Sequence, residues 1–154
     1  MTRIMQKFAI AVAALALVLA FAAFANARPA APERHANYLH ALADLRFARA
    51  LISNPDSGRI QDPERQAMAD IDAAIQELKA AGIDDGKDLN DHPGIDSHLR
   101  WIPRLNKAGK VLDNAHDEAA KEEDDPSAQG LQGRILEHIG QARRHVEQAI
   151  ATEQ

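Results

Sequence analysis

Apolar residues recur at spacings of three and four along four stretches of the chain. The first series is Tyr38, Ala41, Leu45, Ala48 and Ile52, and the second is Met68, Ile71, Ile75, Leu78 and Gly82. The third is Trp101, Leu105, Ala108, Leu112, Ala115 and Ala119. The fourth is Leu131, Ile135, Ile139, Ala142, Val146 and Ala149. Such a period lays one apolar stripe along a helix, and a stripe of that kind buries against neighbouring helices at shallow crossing angles. The punctuation agrees. Pro32 suits a first helical turn, Asn54 to Gly58 carries turn chemistry, and Asp62-Pro63-Glu64 reads as an N-cap, an N1 proline and a first-turn acid. Gly82 stops the second helix, and Asp125-Pro126 repeats the cap-and-proline device. The expected helices are 32–53, 62–82, 95–121 and 126–152. Pro103 falls inside the third. Because Leu99 and Trp101 stay in phase with Leu105, a kink there is favoured over a separate turn from Ile95 to Trp101.

Short connections between four helices imply an all-α, up-down-up-down four-helix bundle. An internal repeat is also visible. At an offset of 60, Leu39, Leu45 and Ala48 match Leu99, Leu105 and Ala108. At an offset of 68, Ile71, Ala74 and Ala81 match Ile139, Ala142 and Ala149. Two pseudo-repeated helical hairpins would produce this pattern, the difference in offset being absorbed by a longer second loop.

A fifth apolar stretch has no such period. Phe8 to Ala25 is continuously apolar, Arg3 and Lys7 precede it, and Ala25-Asn26-Ala27 is a small-x-small site ahead of Arg28. This order reads as a signal peptide cleaved after Ala27. It divides the chain into a leader, 1–27, and a bundle domain, 28–154, in the periplasm or secreted. An uncleaved leader would instead tether the bundle by its N-terminal helix.

The chain has 18 basic and 23 acidic residues, net −5. Without Arg3 and Lys7 the count is 16 against 23, net −7. An acidic domain makes a poor nucleic-acid binder, because neutralising phosphates takes clustered Lys and Arg. The absence of cysteine excludes disulfides, thiolate catalysis, Cys-based zinc sites and c-type haem attachment. The serines after the leader, Ser53, Ser57, Ser97 and Ser127, lie outside any Gly-x-Ser-x-Gly elbow, and there is no glycine-rich phosphate loop. The expectation is a protein without catalysis.

Seven histidines are the chemical enrichment. In an up-down-up-down bundle His35, His40, His92, His98 and His145 share the end where the first helix begins, together with the acidic loop Asp84, Asp85, Asp88, Asp91 and Asp96. Imidazoles and carboxylates in one place are ligands for zinc, copper or nickel. The candidate metal residues are therefore His40, His92, His98 and His145, with Asp91 or Asp96 as ligand or orienting partner. No His-x-x-x-His or Glu-x-x-His spacing supports them. The His40–Asp44 pair reads more simply as a solvated helix-face contact. The same acidic loop fails as an EF-hand, since placing Gly86 at the sixth position puts Ala81 at the first. The leading expectation is an exported helical binding or accessory protein with a metal ion or a protein as partner. One alternative is an interaction module using Arg46, Arg49, Arg143 and Arg144. Another is a b-type haem carrier with Met68 and His116 as axial ligands.

Overall fold

A computed structural model describes residues 35–53, 60–122 and 130–152, and the regular elements among them are all helical. The leader, Pro32, the Asn54–Gly58 turn and the Asp125-Pro126 cap lie outside the described residues. Helix α1 spans Ala36–Ser53, α2 Asp62–Ala80, α3 Trp101–Lys121 and α4 Leu131–Thr152. None of these is long and apolar enough to cross a membrane.

The periodic seams are the core. Tyr38, Ala41, Leu45, Ala48 and Ile52 of α1 are buried, as are the six residues of the fourth series on α4. The buried stripe is wider than the seams, adding Leu42, Leu51, Ala67, Ala74 and Val111. Helix α2 ends as Gly82 requires. Gly82 takes φ +79, the Ile83 N–H donates to Leu78 O and the Gly82 N–H to Lys79 O, and Ile83 is buried. A left-handed glycine with this crossed pair of bonds satisfies the last carbonyls of the helix. At the other end the N-cap is Gln61 rather than Asp62, and Glu64 reaches back to the Gln61 N–H in a capping box.

Helix α3 begins at Trp101, six residues later than expected, so Pro103 lies in its first turn. No kink is needed there, because the first four N–H groups of a helix have no intrahelical acceptor. Residues 81–100 therefore form a connection of 20 residues. At about 3.3 Å per residue this reaches well beyond the roughly 28 Å length of α2.

The up-down-up-down order is accordingly corrected. His35–Glu122 and Arg104–Leu51 join α1 to α3 in antiparallel register. His145–Asp70 and Arg134–Glu77 do the same for α2 and α4, and Arg143–Asp113 and Gln132–Ala119 for α3 and α4. Helices α1 and α4 thus run one way and α2 and α3 the other, an up-down-down-up bundle. Going around it, α1 packs most extensively on α3, α3 on α4, α4 most extensively on α2, and α2 least on α1. The crossover carries the chain back along α1 to the end at which α1 finishes.

Burial recurs in the register read from sequence. Leu45, Ala48, Leu51 and Ile52 are buried, and so are Leu105, Ala108, Val111 and Leu112, each 60 positions on. Ala67, Ile71, Ala74 and Leu78 are matched by Ile135, Ile139, Ala142 and Val146, 68 positions on. The α1–α3 hydrogen bonds put Ala48 opposite Ala108, two small residues that let these helices approach closely. The source of the unequal offsets is not a longer loop. Eight residues separate α1 from α2 and nine separate α3 from α4. The difference lies in α3. Ser53, the last residue of α1, corresponds to Asp113, and α3 continues for eight more residues to Lys121.

Candidate functional site

Four of those eight residues wall a groove. Between the first half of α1 and the extension of α3 lies a concavity of about 450 Å³, lined by Asn37, His40, Ala43 and Asp44 on one side and Asn114, Asp117, Glu118 and Lys121 on the other. All four residues of the α3 wall fall in the extension. On α1 the spacings 37, 40 and 44 place one side chain per turn along the groove.

The lining is dominated by acceptors. Asp44, Asp117 and Glu118 contribute carboxylates, and Asn37 and Asn114 add amide oxygens. The single Lys121 is engaged, donating to Glu118 at 2.8 Å, and this bond raises the lysine above its ordinary range. Asp44 is half-buried. Its carboxyl is pushed above the usual range, first by burial and then by the negative charge of Glu118, while His40 pulls it the other way. The groove therefore holds a carboxylate whose ionised form is under-compensated, which is where added positive charge is most favourable.

The counterpart of Asp44 in the other half of the α1–α3 interface is Arg104, 60 positions on. Its buried guanidinium crosses to α1 and donates to Leu51 O at 2.8 Å, satisfying a carbonyl in the last turn of that helix. One half of the interface is thus filled by a cation from the chain itself. The other half presents acceptors and stays open.

Because Asp44 titrates above its unfolded value, its ionisation costs stability at neutral pH. Stability from this group rises as pH falls through the raised folded value and levels off below about 3.8. Asp44→Asn is therefore expected to raise the urea midpoint at pH 7, with the gain shrinking on acidification. A lower midpoint at pH 7 would contradict this account of the groove.

The four candidate metal residues are not brought together. His40 is exposed in the α1–α3 groove. His92 lies on the crossover, its ring stacked on Phe47 at 6.5 Å and its Nδ1 2.9 Å from Pro93 O. His98 is exposed ahead of α3, at the opposite end from the start of α1. His145 is on α4, with Nδ1 2.8 Å from Asp70 Oδ2 of α2. The sorting of histidines to one end assumed the up-down-up-down order, and reversing α3 and α4 moves His98 and His145 away. Among the described residues no three of His, Cys, Asp and Glu are placed to hold one ion. Met68 and His116 are separated for the same reason, on diagonal helices and toward opposite ends.

Three of the four arginines proposed for partner binding are engaged within the chain. Arg46 and Arg49 pair with Asp85 and Asp72, and Arg143 bonds Asp113 at 2.8 Å. Arg144 is exposed. The Arg46 pairing holds the crossover. Its Nη1 and Nη2 donate to the two Asp85 oxygens at 2.9 and 2.6 Å, and its Nε donates to Asp91 O at 3.2 Å.

Sequence reasoning missed Asn37, Asn114, Asp117 and Glu118. The signal was present in the unequal offsets of 60 and 68, since an insertion in one of two similar halves marks the surface where they differ. Comparison of the chain with family models, curated proteins and solved structures finds no match.

Proposed function

We propose that this chain is an exported, non-catalytic helical binding protein, cleaved after Ala27, whose ligand site is the α1–α3 groove. The ligand is a cation. An amine or guanidinium would be held by Asp44, Asp117 and Glu118. One observation carries this reading. The bundle is read as two repeated hairpins, and the eight residues by which the second departs from the first include all four that line the α3 side of the groove.

The leader supports export by its order of basic, apolar and small-residue segments. The net charge of −7 that remains after cleavage favours a cationic ligand by long-range attraction.

Calorimetric titration of the protein beginning at Arg28 tests the site. The titrants are spermidine and arginine. At least one should bind saturably, and Asp44→Asn and Glu118→Gln should each weaken it tenfold or more, whereas Arg144→Ala should not. If no titrant binds with a Kd below about 1 mM, the groove is not a ligand site. N-terminal sequencing of the exported protein tests the leader. Arg28 as first residue supports cleavage, and Met1 would make this a tethered bundle.

A further inference from the structure

We infer that two copies of this chain exchange hairpins, the α1–α2 hairpin of one packing on the α3–α4 hairpin of the other. The core of this bundle lies between hairpins rather than within them. Helix α1 packs mainly on α3 and α2 mainly on α4, while α1 and α2 make the least extensive of the four interfaces. Hairpin α1–α2 therefore depends on a second hairpin to cover Leu45, Ala48, Ile71 and Ala74, and its own α3–α4 is one of two that fit. The bonds across the divide, Arg104 to Leu51 O, Trp101 to Glu64, Arg134 to Glu77 and His145 to Asp70, form identically when the partner hairpin comes from another copy. Exchange changes no contact within the core and leaves the balance to the connection and to concentration.

The connection has the form that exchange requires. Its first part belongs to hairpin α1–α2, fixed by the Arg46 fork on Asp85 and by His92 on Phe47. Beyond His92, residues 93–100 are without helix and mostly exposed. This eight-residue run is the hinge. It can span up to about 26 Å, enough to pass from one copy to the next. In the exchanged dimer each α1–α3 groove has Asp44 from one copy and Glu118 from the other, whether or not that groove binds a ligand.

The absence of cysteine makes the test clean. Glu77→Cys and Arg134→Cys are made in separate full-length chains, at partly exposed positions whose side chains meet across α2 and α4 at 3.0 Å. The two chains are mixed, unfolded in urea, refolded together and treated with a short bismaleimide. Hairpin exchange yields a covalent heterodimer of the two variants, and at low occupancy the dimer fraction by light scattering rises about tenfold for a tenfold rise in refolding concentration. Wild-type chain refolded over the same range of concentrations is the third preparation, and its dimer fraction should rise in the same way. The inference is overturned by a strict monomer in all three preparations, or by a dimer of the two variants whose introduced thiols, one on each chain, do not cross-link.

Discussion

Asp85→Ala is expected to lower the stability of the bundle by about 3 kcal/mol, a fall of roughly 10 °C in Tm. Arg46 is 1% exposed on α1, and Asp85 supplies both acceptors of its fork. Removing the carboxylate leaves a guanidinium out of water with the Asp91 carbonyl as its remaining acceptor in this group. Burying an uncompensated charge is among the costliest single changes available to a small protein, whereas replacing both partners by apolar residues removes the charge along with its cost. Arg46→Met combined with Asp85→Leu should therefore recover most of what Asp85→Ala loses. Urea unfolding of wild type and both variants reads the two effects, and a double variant no better than the single one would contradict the assignment. Acid provides an independent check. Arg46 holds the Asp85 carboxyl below its ordinary value near 3.8, chiefly through its hydrogen bonds and against the opposing effect of burial. The stabilisation is complete above that ordinary value and is lost as pH falls through the lowered folded one. Wild type and Asp85→Asn should differ at pH 7 and converge in strong acid.

The second large effect is expected at Glu64. This carboxylate is completely buried, and both its oxygens are used. One accepts the Gln61 N–H at 2.7 Å and the other the Trp101 indole N–H at 2.8 Å. Glu64 thus caps α2 and fastens the start of α3 to it. Glu64→Ala strands two half-buried donors and removes a cap, for a loss of about 2 kcal/mol. Glu64→Gln keeps one acceptor but turns an amide N–H₂ toward the other donor, and about half that loss is expected. Trp101 is the only tryptophan. Its emission should shift to the red in both variants if its anchor is Glu64. Unchanged emission in a destabilised Glu64→Ala protein would assign the loss to the cap alone.

How much of this was readable beforehand depends on the range of each interaction. Local spacing marked the core, because a stripe on a helix is written in residues three and four apart. The end of α2 was readable too, since a left-handed glycine is a one-residue signal. The charged interior was not. Arg46, Glu64 and Arg104 are held by partners 39, 37 and 53 positions away. No local pattern distinguishes them from surface charges. Helix direction failed at a single proline. With α3 expected from residue 95, the second connection has only 12 residues, and turning straight back is the shorter path for the next helix. With α3 beginning at Trp101, the connection is long enough to return to the other end, and both directions become sterically open. The histidine cluster fell with that one error, since its convergence rested on helix direction rather than on spacing. The groove was partly visible, as two offsets that did not agree.

The diagonal placement of α2 and α3 has an electrostatic consequence. Each helix carries partial positive charge at its N-terminus and partial negative charge at its C-terminus. In the up-down-down-up bundle every adjacent pair is antiparallel, and the two parallel pairs, α2 with α3 and α1 with α4, are kept apart across the core. Each end of the bundle therefore holds two N-termini and two C-termini, so the macrodipoles offset one another. Neither end offers a net field to an ion, and the attraction of a charged ligand is left to side chains such as Asp44 and Glu118. The dependence of binding on ionic strength then reports side-chain charge, that of the groove and of the acidic domain around it, undisturbed by the helices that frame it.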